Sequence, residues 1–209
     1  MDKSADSLRR RLPRSFFERD VDCVARDLIG TVFTFEKVGG VIVETESYDS
    51  RDPASHTYGE RLTQRNRTMF GPAGRVYVYR SYGIHWCANF VCGPGSAVLI
   101  RALEPCHGVE RMRERRGTIE ITALCAGPGR LCEALGITKK QDGMPLDAPP
   151  FALIASREPA IVCTGVRIGI SKAREAPRRY GLTGSAFLSR RFANNGTQEG
   201  ARPNGRSGH

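Results

Sequence analysis

The alternation in Val41-Ile42-Val43-Glu44-Thr45-Glu46-Ser47-Tyr48 constrains this chain more than any other stretch. A period of two is the strand period, because successive side chains leave a pleated backbone on opposite faces. It puts Glu44, Glu46 and Tyr48 on one face and Val41, Val43 and Thr45 on the other. An antiparallel strand with a solvated polar face reads the same way. Against that reading, Tyr77 and Tyr79 alternate in a second strand, Tyr82-Gly83 stands where that strand should turn, and His56 follows Tyr48 after a short polar loop. Two carboxylates, an imidazole and several flat rings suit a pocket for a planar group.

The rest of the chain reads as one domain between two ragged ends. Asp20 can cap a helix with apolar positions Val21, Val24, Ala25, Leu28 and Ile29, stopped by Gly30. Residues 31–37 and 41–48 read as a hairpin turning at Gly39-Gly40. A polar, arginine-rich loop covers 49–73. Strands follow at 75–82, 85–92 and 97–102, with breaks short enough to imply a largely antiparallel sheet. A charged helix is predicted over 108–116, a second helix from Pro128 with Gly136 past its end, and further strands at 151–155 and 160–170. Residues 1–11 are expected to be a flexible basic N-terminus, 12–192 the domain, and 193–209 a disordered tail.

The formal net charge is +10, and the ends (1–14 and 193–209) contribute +3 and +1, leaving +6 on the body. Such a body suits a polyanionic partner. Basic charge interleaved with aromatic rings points to nucleic acid, since phosphates give affinity while rings stack on unpaired bases. No apolar run approaches a membrane span and no signal peptide is recognisable, so a cytoplasmic protein without membrane contact is expected. The seven cysteines read as buried, reduced thiols. Pro105-Cys106-His107-Gly108 approaches a zinc-deaminase signature but lacks its second cysteine, so neither a metal nor a cofactor is expected. His85 and His107 receive no role.

Six blocks in order carry a resemblance: Glu44-Thr45-Glu46-Ser47-Tyr48, Ala54-Ser55-His56-Thr57, Thr63-Gln64-Arg65-Asn66-Arg67-Thr68-Met69-Phe70, Tyr77-Val78-Tyr79-Arg80-Ser81-Tyr82-Gly83, Leu99-Ile100-Arg101-Ala102-Leu103-Glu104-Pro105 and Leu124-Cys125-Ala126-Gly127-Pro128-Gly129-Arg130-Leu131-Cys132. Over residues 12–189 the chain resembles the alkyladenine (3-methyladenine) DNA glycosylases. The resemblance implies an α+β fold, a single compact domain with a curved, largely antiparallel sheet and surrounding helices. It also implies metal-free removal of alkylated or deaminated purines from duplex DNA, with the target nucleotide flipped out, by a monomer acting on chromosomal DNA (in the nucleus if the source is eukaryotic).

Breaking a purine N-glycosidic bond leaves positive character on the deoxyribose, so the site needs an anion near C1′ and an activated water. The resemblance assigns the base to Glu46 and makes Glu44 structural. Arg101 would hold the water and the target nucleotide, its alternative being a salt bridge to a buried carboxylate. Ile170 would offer its carbonyl to the same water. Tyr48, His56 and Tyr79 would line the base pocket, with rings that favour a cationic purine. Asn89 would disfavour guanine's exocyclic amine, or else simply bond to backbone. Tyr82 would intercalate, while Arg61, Thr63, Arg65 and Arg67 would contact phosphates unless nearby acids claim the arginines.

Tyr77 reads as core. Ile84 stands where methionine is common, Arg80-Ser81 replaces an apolar pair, and Arg178-Arg179-Tyr180 matches loosely. With no lysine in the catalytic block, no Schiff base or strand cleavage is expected. The alternatives are a non-catalytic binder of damaged or unpaired DNA and, more distantly, an acyl- or formyl-transfer enzyme related only by fold.

Overall fold

The computed structural model describes residues 11–193; most of both predicted tails lies outside them. Helix α1 (Val21–Asp27) starts where Asp20 accepts hydrogen bonds from the Asp22 and Cys23 backbone N–H groups, satisfying two of the helix's free donors. Then come β1 (Val32–Phe35), β2 (Val38–Tyr48), β3 (Val76–Ser81), β4 (His85–Gly93) and β5 (Ser96–His107). Helices α2 (Val109–Arg116), α3 (Ile121–Leu124) and α4 (Pro128–Leu135) precede β6 (Phe151–Ile154), β7 (Val162–Gly165) and β8 (Arg179–Leu182). The strands form one curled, wholly antiparallel sheet in the order β3-β4-β5-β2-β1-β6, with β8 on β2 and β7 on β8. No described helix is long and apolar enough to cross a membrane.

The sheet has two differently used faces. Val76, Val78, Phe90, Val98 and Ile100 point into the main core, where Phe17, Phe90, Phe33 and Phe151 form a chain of ring contacts under α1 and α4. The intervening residues of the same strands, Tyr77, Val91 and Ala97, pack with Met69 and Tyr79 in a small second cluster. That cluster forms one wall of the site.

Strand β2 exchanges partners along one edge, pairing with β1 at residues 38–41 and with β8 at 44–46, while β5 stays on its other edge. Three irregularities interrupt the β2–β5 register, the first at Gly39/Gly40 and the other two nearer the site. Leu103 and Ala102 oppose Ile42 and Glu44, leaving Val43 extra, and Ile100 opposes Thr45, leaving Arg101 extra. Bulges beside functional sites re-aim side chains, and this one keeps Arg101 on the face of Leu99, which sits opposite Glu46.

Several expectations need correction. The first hairpin turns at Glu36-Lys37, both with positive φ (48° and 64°), rather than at Gly39-Gly40. The glycines lie inside β2 because neighbouring backbone presses on them: a Cβ would meet the Phe33 carbonyl oxygen at 2.0 Å from Gly39 and the Glu104 carbonyl oxygen at 1.9 Å from Gly40. Strand β5 runs to His107, and the strand predicted over 160–170 ends at Gly165, so Ile170 sits on a loop. Helix α3 and strand β8 were not anticipated. All seven cysteines are free, but Cys23 and Cys106 are exposed, on the solvent side of α1 and at the far end of β5.

Candidate active site

Strands β2 and β5 place a carboxylate pair and an arginine below a cavity of about 620 Å³. Glu44 and Glu46 are both fully buried, which removes the reading of a solvated polar face. Arg101 spans them, its Nε 3.0 Å from Glu44 Oε1 and its Nη1 3.2 Å from Glu46 Oε2. The salt bridge considered as an alternative role for Arg101 therefore exists, and it leaves the same guanidinium beside Glu46. Burial pulls the Arg101 pKa down, but the charges of Glu46 and Glu44 outweigh it and the net shift is upward.

The two glutamates differ in what else they hold. Glu44 accepts from Arg179 Nε at 2.8 Å, Ser189 Oγ at 2.8 Å and Ser189 N at 2.5 Å, so it ties β8 and the following chain to β2. Glu46 faces the cavity. Its Oε2 accepts from the Tyr48 hydroxyl at 2.7 Å and its Oε1 from the Ile168 backbone N–H at 2.8 Å. A carboxylate offers roughly four acceptor positions, and with Arg101 three are taken. One is left for a proton-bearing ligand atom.

The aromatic wall is equally ordered. Tyr79 stacks on Tyr77 with centroids 5.6 Å apart, and His56 meets the Tyr79 ring edge-to-face at 4.5 Å. His56 Nδ1 lies 3.2 Å from the Tyr77 hydroxyl. Tyr77 is thus core, as read, and it also positions His56. Burial of the inner part of the imidazole, with the charge of Arg65 second, lowers the His56 pKa to about 4, so the ring is neutral at pH 7. Burial, then the Glu46 charge, pushes the Tyr48 hydroxyl well up and keeps it a donor. Asn89, also on the cavity, donates from Nδ2 to the Tyr77 carbonyl at 3.1 Å and the Cys87 carbonyl at 3.5 Å, so the backbone bonds considered for it are made and the residue still lines the pocket.

Tyr82 and Gly83 form the tip between β3 and β4 with φ of 49° and 72°. Tyr82 is 86% exposed and Ile84 beside it 66%, which places an aromatic ring and an aliphatic side chain outside the core. Tyr82 also edges the cavity. Arg61, Thr63, Arg65 and Arg67 are exposed on the preceding loop, which Asn66 holds in shape by donating to the His56 and Arg61 carbonyls at 2.8 and 2.9 Å. Among the described residues none of the three arginines pairs with a carboxylate. Arg65 alone of these four lines the cavity; Arg61, Thr63 and Arg67 lie off it.

Sequence reading placed Ile170 on this cavity, where it is, and missed two of its neighbours. Ile168 supplies the N–H to Glu46, and Lys172 stands on the same wall. It also missed Arg167, whose buried guanidinium makes a bidentate pair with Asp52, donates to the Ser47 carbonyl at 3.0 Å and lies 4.6 Å from the Tyr48 ring centroid. Arg167 lay inside the strand predicted over 160–170, where nothing distinguished it from the chain's other arginines.

A model of the methylpurine-DNA glycosylase family matches residues 15–186. The chain belongs to the methylpurine-DNA glycosylase family. Its similarity to bacterial members is high: 60% identity to one from Agrobacterium fabrum, over 87% of this chain and 93% of that protein. A member from Nitrobacter winogradskyi is 55% identical over 90% and 92%, and one from Bradyrhizobium diazoefficiens 56% over 90% and 96%. Each is provisionally named a 3-methyladenine DNA glycosylase. In this chain Glu46, Arg101, Ile170, Tyr48, His56, Tyr79, Asn89 and Tyr82 all converge on one cavity.

Proposed function

We propose that the protein accepts a damaged purine, flipped out of duplex DNA, in the cavity above Glu46 and hydrolyses its N-glycosidic bond. It is a DNA glycosylase of base excision repair. The observation that carries the residue assignment is the remaining acceptor position of the buried Glu46 carboxylate, on the cavity floor beside Arg101.

Glu46 takes a proton from water as the oxygen bonds to C1′, and the C1′–N9 electron pair leaves with the purine. The carboxylate also stabilises the positive character that develops on the sugar. Arg101 and Tyr48 fix its orientation, and Ile170 offers a carbonyl to the attacking water. An N-alkylated cationic purine departs as a neutral molecule, which makes it the easier leaving group. Tyr48, Tyr79 and His56 hold its plane, and Tyr82 fills the vacated stack, offsetting part of the few kcal/mol that flipping costs. One chain builds the whole cavity, which supports action as a monomer.

Incubating the purified protein with methylated duplex DNA, without added metal, should release free methylated purines and leave an abasic site in an intact strand. Retention of the DNA with no base release would favour a binding protein. Borohydride trapping at Lys172 would overturn the monofunctional assignment.

A further inference from the structure

Two rings of the base pocket are already backed by guanidinium groups, Tyr48 by Arg167 at 4.6 Å and Tyr79 by Arg65 at 5.4 Å. The two arginines differ in compensation. Arg167 is matched by Asp52, as Arg101 is by Glu44 and Glu46. Arg65 has no carboxylate partner among the described residues; its Nη2 donates to the Arg80 carbonyl at 3.3 Å, which fixes the group against Tyr79. It lines the cavity, and its charge contributes to holding His56 neutral, so its field reaches the pocket wall. Lys172 is the cavity's other cation without a carboxylate partner among the described residues, but none of those residues holds its ammonium, which sits on an exposed, four-carbon stem.

A ring whose face already meets a cation has less attraction to offer a second one. An unmatched charge beside the base also repels a charged base more strongly than in water, because the pocket is only partly solvated. We propose that Arg65 is a specificity-determining residue, disfavouring purines that carry a positive charge relative to neutral purines of similar size. This rests on the glycosylase reading above and gives Arg65 a task other than the phosphate contact expected from sequence.

The test compares identical duplexes bearing one 7-methylguanine, which is cationic, or one hypoxanthine, which is neutral. Under single-turnover conditions the ratio of the 7-methylguanine rate to the hypoxanthine rate should rise about tenfold in Arg65→Gln and stay within about threefold of the parent in Arg65→Lys, which keeps the charge. The hypoxanthine rate also reports whether the variant is folded. Rates that fall together at constant ratio, with weaker binding to undamaged duplex, would identify a phosphate contact and overturn the proposal. A second arm measures affinity for the two duplexes in a Glu46→Gln background, with and without Arg65→Gln. If the parent releases neither base, the glycosylase reading fails, while an affinity ratio unmoved by Arg65→Gln sinks the Arg65 assignment separately.

Discussion

Glu46 and Glu44 are two residues apart, equally buried and joined by one arginine, yet their surroundings assign them different work. Glu44 is saturated by Arg101, Arg179 and Ser189, whereas Glu46 keeps an acceptor position toward the cavity. Replacing Glu46 by Gln preserves its shape but removes the proton acceptor, so base release should fall by at least about 10²-fold, the lower end of what general acid–base catalysis contributes. Affinity for duplex carrying an abasic-site analogue should stay within a few-fold. Full-rate excision by Glu46→Gln with Glu44→Gln inactive would show the roles to be reversed. The pair was legible in sequence because period two puts both carboxylates and Tyr48 on one face. Ile168 was not, since its contribution is a backbone N–H that any residue could supply. Arg167 was hidden among many arginines, because its partner Asp52 lies 115 positions away.

The tip between β3 and β4 is the short element for which the wedge role is proposed. Tyr82 holds a positive φ, uncommon for a non-glycine residue, and Gly83 completes the tight turn that aims the ring outward. Tyr82→Ala should therefore weaken lesion-bound affinity by about tenfold or more, as expected for a lost base–aromatic stack worth roughly 1–3 kcal/mol. Binding to undamaged duplex should change much less, and the thermal midpoint should hardly move, because an 86% exposed ring holds little of the core. A variant that melts many degrees lower, yet flips and excises normally while folded, would end the wedge assignment. This turn was readable because Tyr-Gly follows an alternating strand. The β1–β2 turn misled, since Glu36-Lys37 lacks the usual turn chemistry and the adjacent glycines serve close backbone packing instead. Strand β8 was missed because the alternation of Tyr180 and Leu182 in Arg179-Tyr180-Gly181-Leu182 is too short to stand out, and long-range pairing with β2 creates the strand.

Across the whole molecule, fold class and charge were legible where side-chain pattern sets them, and partner choice along β2 was not, because edge exchange depends on contacts distant in sequence. The net charge of +10 predicts affinity for DNA, but its useful part is the share that carboxylates leave unmatched. Arg19 pairs with Asp27 at 2.8 Å and Arg116 with Glu133 at 2.5 Å, whereas Arg61 and Arg67, on the loop beside the cavity, pair with no carboxylate among the described residues. Neutralising a phosphate releases a counterion, and the slope of log affinity against log salt is about −0.9 per contact. Binding to undamaged duplex should thus weaken steeply with salt, and a double Arg61→Ala, Arg67→Ala change should flatten the slope by about 2. Arg19→Ala should leave it unaltered, since Asp27 already balances that charge. Titrations across a salt series, with and without chelator, measure both effects. An unchanged slope in the double variant would remove this loop from the DNA interface, and loss of base release on chelation would contradict a reaction run by Glu46 and water alone.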